Sequence, residues 1–360
     1  MSQPSPPPRR SALPALAGIA AILAVLALAF AWVGGWFNRG LTPQRMADTL
    51  EAGKPHPGYR RAHTKGVCAA GSFTPTAQGA ALSKARIFTQ PQTPVLGRLS
   101  IGGGDPHGAD AQARVRSMAL LFKTDDGQEW RTAMNSFPFF AVHSPAGFQA
   151  QSEALFPDPA TGKPDPAKVA AFVAQFPEAK KFLEWSKTAA WSNSWANTQF
   201  NGVNTFWFTN AQGQRRAVRW SMRPQAPFED LSAEQRAKAD GDFLSEEFAT
   251  RLAKGPVQWD LVVTLAGEGD AIDDPSQPFP PDRQQVVAGT LRIDAISPQA
   301  TGPCRDLNYD PTVVPTGIEP SKDPILAARS AVYSVSFNRR EHEIGTGQAP
   351  EATGKTGDAK

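Results

Sequence analysis

Asp323-Pro324-Ile325-Leu326-Ala327-Ala328-Arg329-Ser330-Ala331-Val332-Tyr333 sets an arginine one helical turn before a tyrosine, so guanidinium and phenol share a helix face. Asp323 is placed to cap the helix and Pro324 suits its first turn, which gives the helix a defined start and a predictable facing. Free phenol titrates near ~10, but a guanidinium within a few ångström favours the anion, and ferric iron favours it far more. The pair therefore reads as a tyrosinate held for Fe(III). The plainer reading is a half-buried core aromatic beside a surface arginine, and spacing alone does not separate the two.

Far upstream, Arg60-Arg61-Ala62-His63-Thr64-Lys65-Gly66 puts a histidine between basic residues and a glycine that frees the backbone. A neutral imidazole takes and returns a proton near neutral pH, which makes His63 the candidate general acid/base. His56, His107, His143 and His342 offer the same chemistry when each is taken alone.

Between these two stretches extended runs with turn signals dominate. They are Pro94 to Ile101, Met118 to Thr124 turning at Asp126-Gly127 into Trp130 to Met134, Thr205 to Thr209 returning through Arg216 to Met222, Val257 to Leu265, and Val286 to Ile293. The pattern predicts an α+β fold built on an antiparallel sheet or barrel. Helical periodicity is confined to inserts: Asp165-Pro166 opening Val169, Phe172, Val173 and Phe176, and Ser232-Ala-Glu-Gln235 as a capping box before Phe243 to Leu252.

The 360 residues carry a net charge of +3, with 37 basic against 34 acidic side chains, and the positive residues are scattered. No nucleic-acid surface is supported. From Leu13 to Phe37 no residue is charged, a run longer than the ~20 residues that cross a bilayer. Arg9 and Arg10 precede it and Trp32 and Trp36 lie near its far end, the pattern of a positive inner flank and an aromatic interfacial belt. The reading is a cytoplasmic tail (1–10), a transmembrane anchor (11–37), a linker (38–44), a main domain (45–345) outside the cytoplasm, and a disordered polar tail (346–360). A signal peptide cleaved near Ala27-Leu28-Ala29 is the rival, and Arg9-Arg10 also permits twin-arginine export. Cys68 and Cys304 are the only cysteines. An oxidising compartment would let them pair, and two separate buried thiols are the alternative.

Read in order, the chain offers Arg60-x-x-His63-x-x-Gly66, then Thr93-Pro-Val-Leu-Gly-Arg98-Leu-Ser100, Arg116 to Trp130, Asn135-Ser-Phe-Pro-Phe-Phe140, Gly202-Val-Asn-Thr-Phe206, Asp274 to Pro280, and Asp310 to Ser321 leading into Arg329-x-x-x-Tyr333. From about 45 to 345 this resembles the haem catalase superfamily, and within it the short catalase-related peroxidases. The resemblance implies a catalase-type antiparallel β-barrel with inserted helices, expected to lack the C-terminal helical domain of large catalases. It implies haem b, with Tyr333 as the proximal iron ligand and Arg329 stabilising the phenolate. On the distal side it implies His63, with Ser100 orienting its ring and Asn135 hydrogen-bonding the peroxide. Arg60, Arg98 and Arg340 match positions that hold the haem propionates, and Phe140 and Phe148 match aromatics that wall the pocket. Two departures stand out: Asn204 replaces a histidine of typical catalases, and Ser334-Val-Ser-Phe337 replaces the usual run after the tyrosine.

The expected activity is a haem peroxidase that reduces organic hydroperoxides and hydrogen peroxide with a small-molecule electron donor. Dismutation of hydrogen peroxide is the nearest alternative. A hydroperoxide isomerase of the allene oxide synthase type is a third; there the residue before the distal histidine resembles threonine, whereas Ala62 has no hydroxyl. A non-catalytic haem carrier is the fourth, and it would not need His63 and Asn135 together. The oligomeric state is not legible.

Overall fold

The computed structural model describes residues 13–33, 40–51, 54–158 and 160–349. It divides into two units, Met1–Thr42 and Pro43–Lys360. In the first, α1 (Leu13–Val33) forms over the apolar run, and Ile19, Ile22, Leu23, Val25, Leu26, Leu28, Phe30 and Trp32 are exposed. Side chains of this helix are described only over 17–32. Among the described residues no helix is long and apolar enough to cross a membrane. The expected anchor, 11–37, runs past the described residues at both ends, as do the expected tail 1–10 and most of the tail 346–360.

Among the described residues the second unit holds nine strands: β1 (Gly66–Pro75), β2 (Thr93–Ile101), β3 (Arg116–Lys123), β4 (Glu129–Asn135), β5 (Phe200–Thr209), β6 (Arg215–Pro224), β7 (Val257–Leu265), β8 (Gln285–Pro298) and β9 (Ile318–Pro320). Its helices are α2 (Pro43–Glu51), α3 (Ala77–Leu82), α4 (Arg86–Thr89), α5 (Pro145–Ala154), α6 (Pro166–Gln175), α7 (Ala179–Thr188), α8 (Ala233–Lys238), α9 (Phe243–Leu252) and α10 (Pro324–Gly345). The strands run in the order β4-β3-β2-β1-β8-β7-β6-β5, and β4 pairs with β5 through Asn135 and Asn201 to close an eight-stranded antiparallel barrel; β9 adds to the outside of β5. The linker expected over 38–44 is cut short, because α2 begins at Pro43. At the far end Gly347, Gln348 and Ala349 donate back to the last carbonyls of α10, so 346–349 cap that helix.

Alternation decides which way each strand faces. Along β4, Trp130, Thr132 and Met134 are buried while Glu129, Arg131, Ala133 and Asn135 keep some exposure. The inward side chains are large and aromatic: Phe122 stacks on Trp130 at 5.1 Å and Trp130 meets Trp220 edge-on at 5.1 Å. The interior is thus a packed core and not a pore, so any ligand must sit on the outside. Gly289 shows how tight the packing is, since a Cβ there would come within 2.1 Å of the Phe73 ring.

Helix starts follow local chemistry. Asp323 accepts from Ile325 N at 2.8 Å with Pro324 in the first turn, and Asp165 accepts from Ala167 N at 2.8 Å ahead of α6. The Ser232/Gln235 capping box is present, but it starts the short α8, and α9 follows as a separate helix. Cys68 and Cys304 are joined, tying β1 to the segment before β9 across 236 residues of sequence. Closing so long a loop restricts the unfolded chain, so replacing both cysteines by serine is expected to cost about 2–5 kcal/mol. Urea unfolding of the double variant checks this.

Candidate functional site

The site is built on the outer face of β2, β3 and β4. Antiparallel register aligns Ser100, Ser117 and Asn135 on one rung, Arg98, Ala119 and Ala133 on the next outward-facing rung, and Leu96, Leu121 and Arg131 on the one beyond. Partly exposed Ala119 and Ala133 make the middle rung shallow on β3 and β4. Ser117 and Leu121 are four residues apart, roughly 13 Å along the strand, so a trough floored by methyl groups lies between them.

His63 overhangs the first rung. Its Nδ1 is 3.0 Å from Ser117 Oγ, and Ser117 Oγ donates to Asn135 Oδ1 at 2.5 Å. Ser100 shares the rung but is not the bonded partner of His63; the serine that holds the ring is Ser117, supplied by β3 instead of β2. His63 has φ +53°, the one positive value at a non-glycine among the described residues, a conformation that costs on the order of 1–2 kcal/mol. Thr64 pins it: its N–H donates to Gly103 O at 3.1 Å, its hydroxyl to Arg60 O at 2.9 Å, and its carbonyl accepts from Gln299 Nε2 at 2.8 Å. Gly66 is needed for close approach and not for a turn, because a Cβ would fall 2.4 Å from Leu99 O. Arg61 pairs with Glu51 and Glu343, linking this loop to α2 and α10.

Burial, then the charges of Arg98, Arg329 and Arg60, push the His63 pKa down to about 4, against an opposing contact with the Ile101 backbone. The ring is neutral at pH 7. Because the folded value lies below the unfolded one near 6.5, the unfolded chain binds more protons between them. Stability from this group is therefore complete above about 6.5 and is lost as pH falls toward 4. The cofactor-free protein should lose up to about 3 kcal/mol through that window on this account. A His63→Ala comparison of urea midpoints at pH 7 and pH 4 isolates the contribution.

Across the trough, Tyr333 packs against the cluster of Cys68, Leu121, Cys304 and Tyr309. Arg329 lies 5.9 Å from the centre of the Tyr333 ring. Its guanidinium donates to Asn204 Oδ1 and, at 2.9 Å, to Ala133 O, while Asn204 Nδ2 donates to buried Asp323 at 2.6 Å. Both direct partners of Arg329 are neutral, and the nearest carboxylate of the network, Asp323, acts on it through Asn204 and by charge. The Arg329 charge acts on His63 as well, so Arg329 brings the two ends of the site into one electrostatic neighbourhood.

At one edge three guanidiniums converge. Arg60 Nη2 donates to Cys304 O at 2.9 Å and Leu307 O at 2.8 Å, and Arg98 Nη2 donates to Thr64 O at 3.2 Å and to Gln299. Arg340 is buried with Nε and Nη2 unpaired, and a Glu341 carboxylate oxygen stands 4.0 Å from its Nε. Burial pushes the Arg60 pKa well down, with Arg98 and Arg340 adding to it, and Arg98 falls to about 10 by burial and Arg340. A desolvated trio of like charges, with two donors of Arg340 left without partners, fits a dianion held by charge-assisted hydrogen bonds. The two propionates of a haem meet that description. Among the described residues no group of three or more His, Cys, Asp or Glu is placed to hold an ion. Phe140 and Phe148 meet with ring centres 5.3 Å apart and planes tilted by 49°, in a cluster with Val142 and Phe172 just beyond β4.

Ser117 and Asn204 are the functional candidates that residue types did not single out for their roles. Strand register is the signal for the first, and the helix-cap neighbourhood of Asp323 for the second.

The family model "Catalase" matches residues 57–344. A catalase-related peroxidase of Synechococcus elongatus is 37% identical over 327 residues, covering 91% of this chain and 95% of that protein. One of Mycolicibacterium paratuberculosis is 34% identical over 313 residues, covering 86% and 98%. Among solved structures, a fungal catalase superposes with TM-score 0.71 at 20% identity and a bacterial catalase with 0.69 at 21%. The chain spans 60% and 61% of those two chains, which carry the likeness of fold alone.

Proposed function

The chain belongs to the catalase family, and on that premise we propose that it is a haem-dependent peroxidase. It reduces organic hydroperoxides and hydrogen peroxide with a small-molecule electron donor. Two electrons and two protons convert a hydroperoxide to an alcohol and water. Bound haem b supplies the redox-active iron at which the O–O bond is split and through which the donor's electrons pass.

The remaining work falls to this chain's side chains. Neutral His63 takes the peroxide proton and returns it to the leaving oxygen. Asn135 donates a hydrogen bond to the peroxide, a fixed dipole aimed where charge develops. Tyr333 would hold the iron, with the Arg329 guanidinium 5.9 Å from its ring centre. Arg60, Arg98 and Arg340 hold the propionates, and Phe140 and Phe148 wall the approach. The uncharged run from Leu13 to Phe37 behind Arg9-Arg10 is the sequence feature that supports a membrane anchor. The Cys68–Cys304 disulfide supports placing the haem domain on the periplasmic or extracytoplasmic side.

The observation that carries this reading is the shared cation: Arg329 lies beside the Tyr333 ring and lowers His63. The test is the haem-loaded, purified full chain. We expect a ferric spectrum with phenolate-to-iron charge-transfer features, and faster turnover of an organic hydroperoxide with a dye reductant than of hydrogen peroxide alone. The reverse ranking would assign dismutation, and absence of the phenolate signature would remove Tyr333 as ligand.

A further inference from the structure

Arg60 and Arg98 take their acceptors from one short stretch of chain. Gln299 Oε1 accepts from Arg98 Nε at 3.0 Å and from its Nη2 at 2.5 Å, while Cys304 O and Leu307 O accept from Arg60 Nη2 at 2.9 and 2.8 Å. A guanidinium is a rigid planar fork, so the place of its acceptors sets the direction of its remaining donors. Residues 299–307 form neither helix nor strand. Their backbone bonds are turns: Gly302 N to Pro298 O at 2.8 Å, Arg305 N to Gly302 O at 3.1 Å and Leu307 N to Cys304 O at 3.4 Å. Apart from these turns, residues 300–307 hydrogen-bond to the rest of the described chain only through Arg60 and through Cys304 N, which donates to Cys68 Sγ at 3.1 Å. A loop so sparsely bonded opens easily unless something else holds it.

Sulfur holds it. Cys68 stands on β1 opposite Arg98 on β2, and its disulfide to Cys304 crosses from that rung to the middle of the loop. Both cysteines are buried, at 1% and 0% exposure. Gly302 lets the loop lie on the bond, since a Cβ there would fall 2.8 Å from Cys68 Sγ. The cystine also packs with Leu121 and Tyr309 in the cluster on which Tyr333 rests.

We propose that the Cys68–Cys304 disulfide is a positioning element of the haem site, fixing loop 299–307 so that Gln299 and the carbonyls of Cys304 and Leu307 aim Arg98 and Arg60 at the propionates. The proposal rests on the haem reading of the site. Burial shields both sulfurs from thiols in the folded chain, and exchange needs access. The bond is therefore set once, as the chain folds in an oxidising compartment, and does not act as a fast switch.

Haem titration of the purified full chain at pH 7 reads the effect. Cys68→Ser/Cys304→Ser should bind haem about tenfold to a hundredfold more weakly, the range for losing groups that orient a ligand. A purely structural bond would move the urea midpoint and leave the affinity of the folded fraction unchanged. In an Arg60→Ala background, removing the disulfide should cost distinctly less affinity than in the unaltered chain, because one of the two groups it aims is already gone. A folded serine pair with full affinity overturns the proposal, and so do losses that are independent in this cycle.

Equilibration of the unaltered chain in dithiol buffers, with and without haem, serves if the serine pair fails to fold. Reduction there adds two electrons and two protons across the S–S bond. Linkage makes haem protect the disulfide by the same factor by which the disulfide strengthens haem binding. Protection should therefore level off at about tenfold to a hundredfold as haem is raised. No protection overturns the proposal, and protection that climbs without limit does so too, by making the bond a support of the whole fold. Disulfide-dependent haem affinity in a chain without peroxide turnover would reject the peroxidase reading and leave this assignment intact; turnover with disulfide-independent affinity would do the reverse.

Discussion

His63→Ala is expected to retain haem and to cleave peroxides about a hundredfold to ten-thousandfold more slowly, the range associated with a positioned general acid/base. The size of the loss follows from what the imidazole does that nothing beside it can repeat. Ser117 and Asn135 are neutral hydrogen-bonding groups whose ordinary chemistry offers no base near neutral pH, and Arg60, Arg98 and Arg329 are cations. Alanine keeps a Cβ, so the φ of +53° is no more strained than before. The loop stays pinned through Thr64 and through Arg61 with its two carboxylates. Haem retention should be unaffected, because the guanidinium trio and Tyr333 are untouched. Stopped-flow mixing with peroxide measures the cleavage step apart from donor oxidation. A folded His63→Ala with the rate of the unaltered enzyme would move the proton transfer to another group.

Much of the fold was legible because its strands carry strong signals. Seven of the eight barrel strands show β-branched or aromatic alternation between turn residues, as in β4 with Trp130 and Met134 inward. β1 does not. Gly-Val-Cys-Ala-Ala-Gly-Ser-Phe-Thr-Pro is built of small residues, because β2 and β8 approach it too closely for larger ones: a Cβ at Gly71 would lie 1.9 Å from Arg292 O. Smallness of that kind is a tertiary requirement and leaves no period to read. The start of α10 was legible for the opposite reason, since Asp323 and Pro324 act on their own helix.

The site was legible by residue type and less so by pairing. His63, Asn135, Arg329 and Tyr333 gather around one strand face. The partner of the His63 ring was misread because Ser100 and Ser117 occupy the same rung, and only register and the height of the overhanging loop choose between them. The positive φ of His63 has no sequence marker as strong as the glycine that usually occupies such a position. Arg60, Arg98 and Arg340 are separated by long stretches of chain, and what identifies them as an anion site is their shared burial together with the unpaired Nε and Nη2 of Arg340, which exist only after folding.

Tyr333→Phe is expected to have the second large effect, on haem itself. Phenylalanine keeps the ring that packs on Leu121, Tyr309 and the disulfide, so the fold should persist with little change in urea midpoint. What disappears is the oxygen anion. Loss of groups that merely support a ligand costs about 10- to 100-fold in metal affinity, so loss of the ligand should exceed that, and haem titrations should show affinity weakened by at least about a hundredfold. Binding should not vanish, because the propionates still find Arg60, Arg98 and Arg340; the residue of affinity should fall with added salt only weakly, since those pairs are buried. Arg329 supplies an internal control. Its bonds to Asn204 and Ala133 O do not involve the phenol oxygen, so Tyr333→Phe leaves the guanidinium in place and His63 still depressed. The variant thus separates the two ends of the site: a retained low His63 pKa with lost charge-transfer absorption assigns the phenolate to iron. Unchanged absorption and affinity would mean that another residue holds the metal.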